Sequence, residues 1–458
     1  MNRTTVLALT LASSALAGSL RIGRASVDIT PPPDVPLAGY YHVRYSTGTH
    51  DPLRAKAIVI EKDGVRAALV SLDLIGLPRE FVERARVQIE GLTFVPGDNA
   101  MIGATHSHTG PEMGGRLKGV EPKAEAAVRR WHERLPGLIA DSVKAAEADL
   151  QPAQLSAVVA SEDGVSFIRR FQMIDGTVGW NPGKLNPKIV APVGTIDAAI
   201  PILSFDTPGD AARRRPLAAY VNFANHLDTV GGTDYSADYP FTISGVLDAA
   251  RGPNHVSLFS LGCAGNINHI DVKRAEPQKG HGEAARIGAI LGADVLKALP
   301  GAKPLDPATL RVQRQMVALP LAPFDPAEAA WARETLANYG TPGARPFNDQ
   351  VKAFRVLDIE ARQGAPIEAE VQVVTLGVDV AFVGLPGEMF ADLGKLIKQK
   401  SPFAFTIVSS LTNGAIGYVP DRKAYPEGAY EVISTRVAEG GGERMVEAAL
   451  RMLANARQ

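Results

Sequence analysis

The chain is expected to fold as an α/β protein, with mixed β-sheets flanked by helices. Short apolar runs bounded by turn residues recur at 57–60, 67–72, 100–104, 216–223, 256–261, 371–376, 380–384 and 404–409. Helical spacing of apolar residues alternates with them at 80–91, 122–148, 282–299, 326–339, 388–400 and 440–456, and such interleaving predicts α/β layering. With 458 residues, 45% of them hydrophobic and 21% charged, the chain can bury one large core or two moderate ones. No sequence repeat, heptad seam or low-complexity linker breaks the pattern, and the proline- and glycine-rich stretch 182–201 reads as a long surface loop.

The N-terminus is read apart from the fold. Arg3 supplies a positive start, Val6 to Ala12 a mostly apolar run, and Ala15-Leu16-Ala17 a small-residue cleavage site, so residues 1–17 are expected to be a signal peptide and 18–458 one hydrolase domain, secreted or periplasmic. Forty-eight basic and 49 acidic residues are spread rather than blocked, which excludes an electrostatic footprint for nucleic acid. No other stretch is long and apolar enough to span a bilayer, leaving at most peripheral membrane contact. Cys263 is the only cysteine, so internal disulfides and thiolate metal sites are excluded; a metal must be held by imidazole and oxygen.

Four motifs carry chemistry. Gly103-Ala-Thr-His-Ser-His-Thr-Gly-Pro-Glu112 follows an apolar run, and histidines two apart on a strand share a face, so His106 and His108 are expected at one cleft. His226 stands in Val221-Asn-Phe-Ala-Asn-His-Leu-Asp-Thr-Val-Gly-Gly232, again just past a strand-like run. Glu388 stands in Gly384-Leu-Pro-Gly-Glu-Met-Phe390 and is expected to begin a helix after a Pro-Gly turn. Tyr418 lies in Asn413-Gly-Ala-Ile-Gly-Tyr-Val-Pro420, with Tyr430 downstream.

Taken in order, ATHSHTGP, the strand-then-histidine segment at His226, LPGE and the Gly-Tyr-Val segment followed by Tyr430 resemble the neutral ceramidase family. So does the opening Arg21-Ile-Gly-Arg-Ala-Ser-Val-Asp-Ile-Thr-Pro31. The resemblance runs over nearly the whole chain after residue 17 and implies that family's catalytic domain without its C-terminal β-sandwich. It further implies a catalytic Zn2+ held by His106, His226, Glu388 and Tyr418. It makes His108 the candidate proton shuttle, and Arg169 with Tyr430 the candidates to hold an oxyanion. Arg169 and its neighbour Arg170 in Phe167-Ile-Arg-Arg-Phe171 are equal alternatives, because adjacent residues of an extended segment point opposite ways. Zinc suits such ligands and lowers the pKa of bound water to about 7.

The family's Gly-Asp-Val-Ser-Pro-Asn segment aligns with Gly262-Cys-Ala-Gly-Asn-Ile-Asn-His-Ile-Asp271. Asn268 takes the place of its serine and Asn266 that of its acid. Asparagine is no nucleophile, so chemistry must run through metal-activated water, with Asn268, His269 and Asp271 as substrate contacts or supports of the ligands. The leading expectation is a zinc-dependent hydrolase cleaving the amide of an N-acyl sphingoid or other N-acyl compound, the partner being a small molecule or lipid. An esterase, lactonase or carbohydrate deacylase acting on a soluble substrate, and a non-catalytic binding protein of the same fold, are the alternatives.

Overall fold

Three sheets built on one plan carry the chain in its computed structural model, which describes residues 18–114, 120–210, 213–339, 341 and 343–457. The expected signal peptide lies outside these residues. In the first sheet, strands Arg21–Asp28, Arg54–Lys62 and Val65–Leu72 run antiparallel; helix Arg79–Leu92 then crosses over to Ala100–Ala104, which pairs parallel to Val65–Leu72. Helix Pro122–Ala148 completes the unit by packing on the crossover helix.

The second sheet repeats this order with Gln154–Ser161, Ala199–Asp206 and Pro216–Phe223, crossover helix Tyr239–Arg251, parallel strand Val256–Leu261 and outer helix His281–Ala298. The third uses Leu310–Leu319, Ile367–Leu376 and Val380–Gly384, crossover helix Ala391–Lys400, parallel strand Phe405–Ser409 and outer helix Gly441–Arg457. The mixed α/β architecture expected from the sequence is therefore present, and a threefold repeat of topology that leaves no repeat in the sequence comes with it. Topology is set by which positions are apolar and by the hand of the crossover, neither of which requires residue identity.

The parallel pairs are the centre of the molecule. Leu69↔Met101, Tyr220↔Leu258 and Phe382↔Ile407 are equivalent cross-strand pairs of the three sheets, and all six side chains are buried in one shared core. Each stretch is apolar on both faces, as a strand covered on both sides must be; all of Val380–Gly384 is buried. Polar links close the ring: Ser71 Oγ donates to Phe259 O at 2.5 Å, Asn222 Nδ2 to Val408 O at 3.3 Å, and Ile102 N to Asn413 Oδ1 at 2.9 Å. Arg86, buried on the first crossover helix, reaches Glu370 of the third sheet through two bonds of 2.9 and 2.8 Å.

Three local expectations are corrected. Glu388 does not begin a helix: Glu388–Met389 forms a short strand parallel to Tyr418–Val419, and the helix starts at Ala391, because Glu388 N bonds Gly417 O instead of entering a helical turn. His106 and His108 are not strand residues: the strand ends at Ala104, and His106 turns the chain with φ +79°. The stretch 182–201 is not wholly a loop, since it holds Ile189–Pro192 and enters Ala199–Asp206. Helices Tyr239–Arg251 and Phe347–Ala361 were not expected. The first hides behind the aromatic and β-branched start Tyr-Pro-Phe-Thr-Ile, although Asp238 caps it by accepting from Tyr239 N at 2.7 Å.

Candidate metal centre and its cavity

The third strand of each unit ends at Leu72, Phe223 or Gly384, and the segments just beyond converge. From the first unit come Ile75 and, after the parallel strand, His106 and His108; the second brings His226; the third brings Glu388. Their donor atoms gather at one point. His106 Nε2 lies 3.0 Å from His226 Nε2 and 3.3 Å from His108 Nε2, while Glu388 Oε2 lies 3.2 Å from His106 Nε2 and 3.8 Å from His226 Nε2.

Hydrogen bonds on the far side of two rings determine what faces this point. His106 Nδ1 is 2.6 Å from Ile75 O and His226 Nδ1 is 3.3 Å from Ala264 O. A carbonyl only accepts, so each Nδ1 carries a hydrogen, and a neutral ring anchored in this way turns a bare Nε2 lone pair inward. Burial drives the His226 pKa well below the usual histidine value, which keeps that ring neutral. Two lone pairs 3.0 Å apart repel unless a cation lies between them. Glu388 Oε2 is buried there with no hydrogen-bond partner, and although burial raises its pKa, positive charge that includes the Arg169 guanidinium holds the carboxyl below the usual range. Neutral imidazoles anchored through Nδ1 and a bare carboxylate oxygen are the donors a divalent transition metal takes, so the residues fit zinc.

His108 is built differently. No backbone carbonyl anchors its Nδ1, which is buried and unbonded, and its nearest acid is Asp228 Oδ1 at 3.8 Å. Burial lowers its pKa to about 4. Asp228 is itself held by Tyr40, whose hydroxyl donates to Oδ1 at 2.6 Å, and by Lys279 at 3.5 Å. Asp228 was not expected at the site, although it stands two residues past His226 in the same motif.

The third unit supplies Tyr418, which is opposite Glu388 in the two-stranded ladder. The Arg169 guanidinium carbon sits 5.3 Å from the Tyr418 ring centroid. Buried Glu431 holds both arginines: Arg169 Nε donates to its Oε1 and Arg170 Nη1 to its Oε2, each at 2.9 Å. Only Arg169 lines the cavity; Arg170 turns to Glu427 and the Gly428 carbonyl. Of the two, Arg169 is therefore the one that faces the cavity.

A cavity of about 330 Å³ opens over the cluster, lined by His108, Arg169, His226, Asp228, Tyr418 and Tyr430 and roofed by aromatic residues, and a second of about 210 Å³ adjoins it at His106 and Glu388. Asn268 also lines the larger one, but both ends of its amide are engaged: Nδ2 donates to Asn181 Oδ1 at 2.9 Å and Oδ1 accepts from Ile270 N at 3.0 Å. Asn266 instead caps the crossover helix of the third unit, accepting from Ala391 N at 2.9 Å. His269 and Asp271, expected at the site, line neither cavity; His269 is buried behind Asp228, and Asp271 Oδ1 accepts from Lys273 N in a turn.

Among the described residues His50, Asp51 and His281 also group together, but those two rings stack face to face at 3.6 Å and 12°, so their lone pairs run parallel instead of converging. Asp51 is committed to Ser236 Oγ and Ala237 N, both at 2.7 Å.

Neither a protein-family model nor a curated protein matches this chain. Among solved structures, neutral ceramidase from Pseudomonas aeruginosa is similar with a TM-score of 0.72 at 20% identity, over 96% of this chain and 74% of that one. A ceramidase complexed with C2 gives 0.71 at 18% identity, over 96% and 75%. Likeness at such identity is likeness of fold. The chain has the fold of neutral ceramidase.

Proposed function

We propose that the chain is a zinc-dependent hydrolase of the ceramidase type, cleaving the amide bond of an N-acyl compound with metal-activated water. The observation that carries this reading is the meeting of the inward-facing Nε2 atoms of His106 and His226, 3.0 Å apart, with the unbonded Glu388 Oε2 beside them. His106, His226, Glu388 and Tyr418 would hold the ion. Zinc so bound supplies Lewis acidity, polarising a carbonyl and activating water near neutral pH.

The chain's own groups do the rest. His108 is free of the backbone anchoring that orients the other two rings, so its imidazole is available to take a proton and return it to the leaving amine. Asp228 stands on the Nδ1 side of that ring and favours the tautomer that turns the other nitrogen to the cavity. Arg169, pinned by Glu431, aims fixed positive charge where an oxyanion develops, and the Tyr430 hydroxyl adds a donor. No serine or thiol serves as nucleophile: Asn268 replaces the serine, and the buried Cys263 thiol is pushed up to about 12.

We also infer export from the cytoplasm, supported by the charged start, apolar run and Ala-Leu-Ala sequence; no described helix is long and apolar enough to cross a membrane. Mass spectrometry should find the exported chain beginning near Gly18, and an intact Met1 would refute export by cleavage. The hydrolase reading is tested by elemental analysis and a panel of N-acyl amides and acyl esters before and after chelation. About one zinc per chain and chelation-sensitive amide cleavage are expected; full activity in metal-free protein would end the reading.

A further inference from the structure

The roof of the cavity comes from equivalent places in the three units, each the connection between the first two strands of a sheet. Tyr40 and Tyr41 lie between Arg21–Asp28 and Arg54–Lys62, and Trp180 between Gln154–Ser161 and Ala199–Asp206. Phe347 opens the helix Phe347–Ala361, which with Glu328–Ala337 is inserted between Leu310–Leu319 and Ile367–Leu376. Trp180 and Phe347 meet Tyr430 as three nearly parallel rings. Centroid separations and interplanar angles are 4.3 Å and 29° for Trp180–Tyr430, 5.8 Å and 21° for Phe347–Tyr430, and 6.1 Å and 16° for Trp180–Phe347. Tyr41 stands across them at 86° to Phe347.

Resting on the hydrolase reading above, we propose that the substrate brings a flat ring, an aryl group, into this cavity, and that Phe347 and Trp180 select for it. Parallel rings offer a flat apolar surface on which a further ring gains offset stacking beyond the area it buries, whereas a saturated chain gains the area alone. Phe347 is 42% exposed although it borders the cavity, so apolar ring surface is left uncovered there. A volume of about 330 Å³ stands at the small end of ligand pockets, room for a ring on a short linker above the donor cluster.

The test uses the full metal-loaded protein and two matched pairs of amides with equal carbon counts: 3-phenylpropionyl against nonanoyl, and benzylamide against heptylamide. In at least one pair the ring compound should have a kcat/KM about tenfold higher. Phe347→Leu, which keeps apolar bulk on an exposed position but removes the ring, should bring that ratio close to unity, and Phe347→Tyr should restore it. Calorimetry with 3-phenylpropionate and nonanoate, or benzylamine and heptylamine, reads the same preference without turnover. Linear compounds hydrolysed equally well in both pairs would overturn the ring assignment while leaving the hydrolase reading in place. So would a ratio unchanged in both Phe347→Leu and Trp180→Leu. A ring preference in binding with no cleavage of any amide would support the ring assignment and refute the hydrolase reading.

Discussion

The floor and the roof of the cavity are made of the same three units and obey opposite rules. The floor is assembled from strand ends: His226 follows Phe223, Glu388 follows Gly384, and both are tied to backbone carbonyls or neighbouring ladders before any ligand arrives. The roof is assembled from connections, where Trp180 ends the short strand Val178–Trp180 paired to Arg170, Phe347 opens the helix Phe347–Ala361, and both rings remain partly exposed. Groups that must be placed to within a fraction of an ångström sit just past the ends of core strands, and groups that choose among substrates sit on connections free to differ.

If that division is right, changes in the floor should abolish function and changes in the roof should redirect it. The largest effect is expected at the donors. His226→Ala or Glu388→Ala should lose the metal and all turnover while the roof still binds ligand; metal analysis beside calorimetry separates the two, and a variant that keeps its zinc would remove that residue from the ligand set. Next is His108→Ala, which should retain zinc and lower kcat by roughly 10²- to 10⁴-fold, the range for loss of a general acid–base group. Loss of the metal in that variant would make His108 a ligand, as its Nε2 at 3.3 Å from His106 Nε2 permits geometrically.

The third effect is one of stability. Arg86 and Glu370 are buried and joined at 2.8 Å across two units, so Glu370→Ala leaves an uncompensated guanidinium and should cost about 3–5 kcal/mol of unfolding free energy. Denaturant titration reads it, and a loss near zero would mean that the units are held by apolar packing alone. The smallest effect is expected at Asn268→Ala. This removes neutral hydrogen bonds to Asn181 and Ile270, each worth about 1 kcal/mol, so kcat/KM should fall by about fivefold and not by the factor of a lost nucleophile. An acyl-enzyme adduct trapped on any side chain would contradict the whole ordering.

Much of the floor was legible in the sequence because its cues are local. A histidine or acid directly after an apolar run bounded by glycine marks a strand end, and His106, His226 and Glu388 were found that way, with His108 beside them. Strands 100–104, 216–223, 256–261 and 380–384 were read to the residue from their unbroken apolar runs, which burial on both faces demands. Asp228 was within reach, two residues past His226 in the same motif.

The roof was not legible. Nothing local distinguishes Trp180 or Phe347 from any other aromatic residue, since each becomes a cavity wall only by meeting Tyr430, hundreds of positions away for one and dozens for the other. The choice of Arg169 over Arg170 was likewise beyond the sequence, because Glu431 binds both and only the path of the backbone decides which faces the cavity. His269 and Asp271 were expected as substrate contacts or supports of the ligands by adjacency to Asn268; neither lines the cavities, and His269 lies near Asp228, which faces His108.

By itself, then, the sequence determined the α/β layering, the strand ends and the residue types able to take a metal, because apolar periodicity and turn chemistry act over a few residues. Only the tertiary structure decided that three unlike segments share one topology. It also decided which nitrogens face one another and which rings lie parallel, because those follow from contacts between residues far apart in the chain, fixed by the packing of Leu69, Met101, Tyr220, Leu258, Phe382 and Ile407 around one centre.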